Sequence, residues 1–443
     1  MVKKKLHYAI YPVFTTAEDF MDYVFRVVWY LHPYIDEGAD FTFFLSCPVP
    51  ELLIPAHFAP EIALYADKVL KRSRFIHIDE TGNAEQQPDT AINTASFDAI
   101  FCWKHTELQR LNAKITINMD KNTFGGNWDI LYYYQTAFPH KLNSAIEKSK
   151  LFLESISKNS THKKAYIFGT GPSLSDVISR DFSDGIRIAC NSIVADDNIM
   201  EALKPHIIVC ADAIFHSGCS EYASSFRKNL EKAIANHGCA VFTATRDYYI
   251  YVNTFDPSTA DKVFTIPHHS EGDLNFSLNE KFSLLATNNI MTNFMLPLAA
   301  YLARHIVIVG ADGRSLNDDT YYWQHNNLAQ FHNKIYSARV VHPGFFSSVC
   351  YNNYYLKHCW NMERFLAIIT RSGKIIENVT PTYIPALQKH SSEHVVPKDE
   401  KEYIVINDAL SRLVKDKEWT KYAYDLNNEY EERIVQEATH AIM

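Results

Sequence analysis

The stretch Ala165–Val177 reads AYIFGTGPSLSDV. Its apolar opening, Ala165, Tyr166, Ile167 and Phe168, predicts a short buried strand. Gly169 and Gly171 then permit a tight turn and a close approach of backbone to a ligand. Pro172 suits the first turn of a helix, and Ser173 adds a hydroxyl there. Free N–H groups at such a helix start favour an anion, most often a phosphate. No Lys-Ser/Thr follows, which excludes a Walker A loop. The third glycine and the downstream acidic strand end of a dinucleotide fingerprint are also missing. An ordinary βα turn has the same local chemistry.

Working outward, the turn opens an α/β unit. Further apolar runs predict strands at Ile186–Cys190, Ile207–Ala211, Ala240–Thr245, Val263–Ile266 and Ile306–Gly310. Helices are predicted over Glu221–Asn236, Asn289–Arg304 and Tyr351–Thr370. Near-continuous apolar strands indicate a parallel sheet covered on both faces. Towards the N-terminus a second alternating pattern appears. Strands are predicted at Leu6–Phe14, Phe41–Cys47, Arg74–Ile78, Phe97–Trp103 and Ile115–Asn118. Thr15 to Glu18 fits a capping box before a helix that carries Phe20, Tyr23, Val24, Val27, Val28 and Leu31 on one side. Gly125-Gly126 marks a loop before the aromatic segment Trp128–Tyr134. The polar stretch Ser155–Lys164 is expected to link a first domain, residues 1–154, to a second over residues 163–387. Ile375–Val379 and Pro385–Leu387 bring the chain back onto a domain, and residues 388–443 form a charged tail expected to be helical. The fold class is therefore α/β, with two Rossmann-like domains facing a cleft.

Composition narrows the function classes. The 443 residues are 47% hydrophobic and 21% charged, an ordinary globular balance with length for more than one core. A net charge of −8 and the absence of a basic stripe beyond Lys3–Lys5 argue against a general nucleic-acid binder. No apolar run of about eighteen residues occurs, so no transmembrane helix is expected. The cysteines are scattered, with no C-x-x-C pair, and read as reduced core residues of a cytoplasmic protein. The acidic balance gives no general attraction to anionic lipid; the tail leaves peripheral docking at the inner face of the cytoplasmic membrane open.

Ligands of open parallel sheets bind beyond the C-terminal strand ends. The second domain repeatedly places polar residues there: the Gly169–Ser173 turn, Asn191-Ser192, Asp212 with His216 four residues on, and Asp312-Gly313-Arg314. Each alone is most simply a loop starter or helix cap; their convergence points to a site. Histidines cluster late in this domain, at His268-His269, His325, His332, His342 and His358. Their spacings match no compact zinc pattern, and one is a candidate proton-transfer group. Tyr321-Tyr322-Trp323 reads equally as a pocket wall or as core. No Asp-x-Asp triplet exists, and the adjacent pairs Asp196-Asp197 and Asp318-Asp319 read as loop residues. A leaving monophosphate would then be stabilised by helix-start N–H groups and polar side chains, with no metal.

GTGPSL (Gly169–Leu174) followed by CNS (Cys190–Ser192) resembles the GNGPSL and CN pattern of bacterial sialyltransferases of glycosyltransferase family 42. It also resembles the flagellar motility accessory factors, thought to transfer nonulosonic acids. The ordered set ADAIFH (Ala211–His216), MLPLAAYLA (Met295–Ala303), IVIVGADGR (Ile306–Arg314), YYWQHN (Tyr321–Asn326) and HPGFF (His342–Phe346) looks more like the retaining β-Kdo transferases of family 99. Those use CMP-activated 3-deoxy-manno-octulosonic acid (Kdo). The resemblance covers roughly Ala165–Leu387. It implies a GT-B-like arrangement with a sialyltransferase-like donor domain, the N-terminal domain lying on the acceptor side. Gly169, Thr170, Gly171, Pro172 and Ser173 would hold the CMP phosphate, although Thr170 departs from the sialyltransferase asparagine. Asn191 and Ser192 would meet the nucleotide or donor sugar, with Asp312, Gly313, Arg314 and His325 completing the donor side. Asp212 would be the nucleophile, kept ionised by Arg314 or His216, and His342 would correspond to a general base. The implied partners are a CMP-sugar donor, used as substrate without cofactor or metal, and a saccharide acceptor, free or lipid-linked, of lipopolysaccharide or capsule. An inverting sialyl or nonulosonic-acid transferase and a catalytically silent nucleotide-binding scaffold are the alternatives. A pterin pyrophosphokinase-like activity shares the GPSL turn but would need ATP and magnesium.

Overall fold

The computed structural model describes residues 5–78, 97–113, 115–159, 162–270, 274–287, 289–316, 325–348, 351–395 and 406. Two parallel sheets organise them, as the α/β pattern predicts. The first runs β3-β2-β1-β4-β5, built from β1 (His7–Phe14), β2 (Asp40–Leu45), β3 (Ser73–His77), β4 (Ala99–Cys102) and β5 (Thr116–Asn118). The second follows with β6 (Lys164–Phe168), β7 (Gly185–Cys190), β8 (Ile207–Cys210), β9 (Ala240–Ala244) and β10 (Val263–Ile266). The two-residue strands β11 (His268–His269) and β12 (Leu284–Leu285) pair with each other. β13 (His305–Val309) and β14 (Ile375–Asn378) complete the large sheet, whose order is β10-β9-β8-β7-β6-β13-β14. The strand order reverses between β6 and β13, where a doubly wound sheet opens a crevice at its carboxyl edge.

The central strands are buried because they are apolar on both faces; β8, IIVC, has no exposed residue. Ile167, Ile188, Val209 and Phe242 face one core of the second sheet, and Phe168, Ala189, Ile208 and Val241 face the other. That split is the two-residue period of a strand.

Four local expectations are refined. The first helix, Ala17–Ile35, is capped by Thr16, whose hydroxyl accepts from Asp19 N at 3.1 Å, so the cap lies one residue beyond Thr15. The aromatic segment after Gly125 is helical, within Gly126–Ala137. The expected linker is largely the end of a 21-residue helix, Pro139–Asn159, and Lys164 already belongs to β6. That helix lies on the second sheet: Phe152 stacks on Phe264 at 4.0 Å, and Ser149 Oγ accepts from Thr265 N at 2.8 Å. Ile156 in this stretch packs against the core of the second sheet, while Ser155 and Lys158 are exposed and give it a linker's composition. The long helix expected over Asn289–Arg304 opens with a π-helical turn, Met291–Met295, before the α-helix Leu296–Leu302. The tail beyond residue 395 lies outside the described residues, except for buried Ile406. Among the described residues no helix is long and apolar enough to cross a membrane.

The two domains are interlocked at the loop after β8. Phe58 bridges Ser220, Ala59 N donates to Cys219 O at 2.8 Å, and Glu221 N donates to His57 O at 3.0 Å. Trp29 Nε1 donates to Ser217 O at 2.9 Å. The main core of the first sheet is completed by Ala213, Cys219, Tyr249, Ile250 and Val341 from the second domain.

Candidate active site

The glycine turn follows β6, at the β6/β13 switch point, yet its glycines answer to the protein itself. Gly169 N donates to Val309 O at 2.8 Å and Gly171 N to Gly310 O at 2.9 Å. A side chain on Gly169 would meet Gly310 O at 2.5 Å, and one on Gly171 would overlap the Asp312 carboxylate. Pro172–Asp176 is one short 3₁₀ segment, not the first turn of an α-helix. Ser173 Oγ donates to Asp312 Oδ2 at 2.6 Å, and Ser173 N lies 3.3 Å from both carboxylate oxygens. Asp312, only 2% exposed, thus fills the place where the sequence predicts a phosphate. The group that approaches Gly171 closely is the Asp312 carboxylate.

A strap over residues 325–331 closes this turn from above. Thr170 Oγ1 lies 2.8 Å from His325 Nδ1, and Asn326 N donates to Thr170 O at 2.7 Å. Ser192 Oγ donates to Ala329 O at 2.7 Å. Burial pushes the His325 imidazole down to about 4, with His332 adding to the effect, so it is neutral near pH 7. Gly313 takes a left-handed φ of 67°, and a side chain there would strike Tyr355 Oη. Arg314 is buried, bonded to Asn352 and lying over the Tyr355 ring, which ties it to the helix Tyr351–Arg371. Thr170, Ser173, Ser192, Asp312, Arg314 and His325 are therefore engaged by protein partners. Asp318–Asp319 and Tyr321–Trp323 lie outside the described residues.

A second row of polar groups lies along the ends of β7 to β10. Parallel register pairs Cys190 with Val209, Cys210 with Thr243, and Ala244 with Ile266. The next residues out are Asn191, Asp212, Arg246-Asp247 and His268. Asn191 adopts φ 49°, a left-handed conformation that costs a non-glycine residue about 1 kcal/mol, and its Oδ1 is buried without a partner. Such strain concentrates at functional sites. Asp212 Oδ1 accepts from Ile214 N and Phe215 N, both at 2.8 Å, which is the loop-capping role open to any strand-end aspartate. Oδ2 is left without a partner among the described residues. His216 Nδ1 accepts from Asp212 N at 3.1 Å, so the imidazole clamps the backbone and not the carboxylate. It stacks on Phe226 at 4.0 Å, and burial pushes it down to about 4. His342 lies at the far end of the same loop: a side chain on Gly218 would come within 2.9 Å of its Nε2. That nitrogen is buried and unpartnered, and burial holds the ring well below its ordinary range.

Arg246 and Asp247 escaped the sequence reading. Arg246 Nη2 donates to Ala211 O at 3.0 Å, Nη1 to Tyr132 Oη of the first domain at 3.2 Å, and Nε lies 3.4 Å from Asp247 Oδ1. Asp247 is fully buried with Oδ2 unpartnered. Burial, opposed by Arg246 and reinforced by Asp212, pushes its carboxyl up to about 6. Ser217 Oγ, Thr243 Oγ1 and both ring nitrogens of His268 and of His269 are also buried without partners. Folded proteins leave few such groups, so their concentration at one sheet edge marks a site. The signal was present in Thr245-Arg246-Asp247, which follows β9 just as Asp212 follows β8. Among the described residues no cluster of three or more His, Cys, Asp or Glu is placed to hold a metal.

No protein-family model matches the chain, and no curated protein matches it. Among solved structures it is similar to the sialyltransferase CstII of Campylobacter jejuni, determined with the substrate analogue cytidine-5'-monophosphate. That likeness has 17% identity and a TM-score of 0.21, over 42% of this chain and 79% of the other. It is too loose to bear on the fold or the site.

Proposed function

We propose that this chain is a glycosyltransferase that takes an acidic sugar, Kdo by preference, from its CMP-activated form and passes it to a saccharide of the cell surface. The observation that carries the reading is Asp212. It follows an apolar strand, its Oδ1 is fixed by two backbone N–H groups, and the preceding Ala211 carbonyl is held by Arg246. The ordered motifs from Gly169 to Phe346, which resemble family 99, support it. In the first step Oδ2 attacks the anomeric carbon, the bond from that carbon to the phosphate oxygen breaks, and CMP leaves with the electron pair. An acceptor hydroxyl then attacks the same carbon, its proton passes to water, the bond from that carbon to Asp212 Oδ2 breaks, and the carboxylate is regenerated with net retention. The absence of an Asp-x-Asp triplet supports turnover without a divalent ion.

The test is Asp212→Asn. The amide oxygen keeps both turn hydrogen bonds, so the fold and CMP affinity, read by calorimetry, should hold. Transfer from CMP-Kdo should fall ~10³-fold or more. Intact-mass analysis of the wild type with CMP-Kdo and a poor acceptor should show an adduct of one sugar on Asp212. A fully active Asp212→Asn enzyme, or an adduct elsewhere, removes Asp212 from this role. An inverted product with no adduct selects the nonulosonic-acid transferase instead, and CMP-sialic acid and UDP-sugars in parallel define the donor. One observation favours a silent scaffold: the N–H groups of Gly169, Gly171 and Ser173 already have protein acceptors. Absence of CMP release from every CMP-sugar selects that reading.

A further inference from the structure

Strand β8 stops at Cys210, whose ladder partner is Thr243, so the peptide between Ala211 and Asp212 lies beyond the sheet. Its carbonyl and N–H are no longer paired by neighbouring strands and need other partners. Two side chains supply them. Arg246 Nη2 donates to Ala211 O at 3.0 Å, and His216 Nδ1 accepts from Asp212 N at 3.1 Å. A single peptide plane is thus held at both edges. The holding groups are themselves fixed. The imidazole is 3% exposed and stacks on Phe226 at 4.0 Å. The guanidinium also donates to Tyr132 Oη at 3.2 Å and lies 3.4 Å from Asp247 Oδ1. Downstream, Asp212 O accepts from His216 N at 3.0 Å and Ser217 N at 3.1 Å, while Oδ1 accepts from Ile214 N and Phe215 N. Residues 213–220 are all buried, and within the loop 212–220 partial exposure is left to Asp212.

We propose that His216 and Arg246 are positioning residues: by holding the Ala211–Asp212 peptide from both sides they aim the Asp212 carboxylate at the donor sugar. The inference rests on the glycosyltransferase reading, with Asp212 as nucleophile. Attack on an anomeric carbon tolerates little error in the approach of the oxygen, and a displacement of about 1 Å costs about 10²-fold in rate. A carboxylate on a loop is aimed by its backbone, so the peptide that precedes it is the place to fix it. Asp212 N–H can only donate, so Nδ1 of His216 carries the lone pair and the ring serves as a neutral acceptor. Burial, which pushes that imidazole down to about 4, keeps it in this form near neutral pH.

The test compares His216→Asn with His216→Leu in transfer from CMP-Kdo. The two replacement side chains have nearly the same shape, and the amide oxygen of asparagine branches from Cγ as Nδ1 does. Leucine supplies the bulk without the acceptor. The leucine variant should lose kcat ~10²-fold with KM for CMP-Kdo held within ~3-fold, and the asparagine variant should recover most of that loss. A role in packing against Phe226 predicts the opposite order, because leucine is the better apolar neighbour. Arg246→Met, alone and combined with His216→Leu, checks that both residues act on one peptide: the double variant should fall well short of the product of the single losses. Thermal melting identifies loss of fold. Should His216→Leu or Arg246→Met not fold, His216→Gln, whose acceptor stands further out, and Arg246→Gln, which is too short to reach the carbonyl, take their places with the same expectations. Equal kcat in folded His216→Leu and His216→Asn overturns the inference, as does a loss confined to KM or a fully multiplicative loss in the double variant. Failure of the parent reading is separately visible and overturns the inference too: the wild type releases no CMP from any CMP-sugar, or Asp212→Asn stays fully active.

Discussion

Asp247 lies at the base of the candidate site, and its buried carboxyl makes a sharp prediction about pH. Its folded value is pushed up to about 6, against an ordinary value of about 4 in the unfolded chain. Below about pH 4 both states are protonated and the group costs nothing. Between about pH 4 and 6 the unfolded chain releases a proton that the folded chain keeps, so stability falls as pH rises. Above that window the loss is constant at about 3 kcal/mol. Asp247→Asn removes the titration. Its stability relative to the wild type should rise by about 3 kcal/mol from pH ~4 to pH ~7, read by urea unfolding. A difference that stays flat over that range rules out a carboxyl held protonated by burial. Gly171 teaches a second lesson at this scale. A bulky residue there collides with the Asp312 carboxylate, so loss of ligand binding in Gly171→Val would report damage to the turn itself.

The element that positions the site is the helix Glu221–His237, through one side chain. Arg227 Nη1 donates to the carbonyls of His216 at 3.0 Å and Gly218 at 2.7 Å, and Nη2 pairs with Glu61 of the first domain at 2.6 Å. Its guanidinium lies 4.0 Å from the Trp29 ring, and Ser224 Oγ donates to the other Glu61 oxygen at 2.5 Å. Burial alone would raise the Glu61 carboxyl, but Arg227 and Ser224 outweigh it and hold it below its ordinary range. That pair therefore stabilises the fold above the ordinary glutamate value, and the contribution is lost as pH falls through the depressed one. Removing one partner of a buried pair strands the other, so Arg227→Met should cost ~3–5 kcal/mol. Glu61→Gln, which keeps an acceptor for Ser224, should cost less. A double-mutant cycle by urea unfolding should give a coupling above ~1 kcal/mol; simple additivity would mean that the two side chains act independently.

For the whole molecule, the shared core decides how the domains behave. Ala213, Cys219, Tyr249, Ile250 and Val341 pack into the first domain's cluster, and the helix Pro139–Asn159 lies on the second sheet. Neither domain closes its core without the other. The expected outcome is one cooperative melting transition, with calorimetric and van't Hoff enthalpies in agreement. Two separated transitions in a calorimetric scan would show that the domains unfold independently.

The strands were legible in the sequence because a buried parallel strand is apolar on both faces, a property that needs no knowledge of its neighbours. Strand ends were legible for the same reason, and with them Asn191, Asp212 and the glycine turn. The helix Pro139–Asn159 was misread because its polar end carries the composition of a linker. The remaining site residues depend on partners remote in sequence: Ser173 meets Asp312 across 139 positions, Arg227 meets Glu61 across 166, and Arg246 meets Tyr132 across 114. No local pattern encodes such a pairing. It follows from which strand lies beside which, and from the face each helix turns towards the sheet. Sequence alone therefore determined that this chain carries two parallel sheets and where their polar edges fall. Only the tertiary structure decided which of those polar groups are consumed by the protein and which are left for a ligand, because burial and pairing are properties of neighbours brought together by the fold.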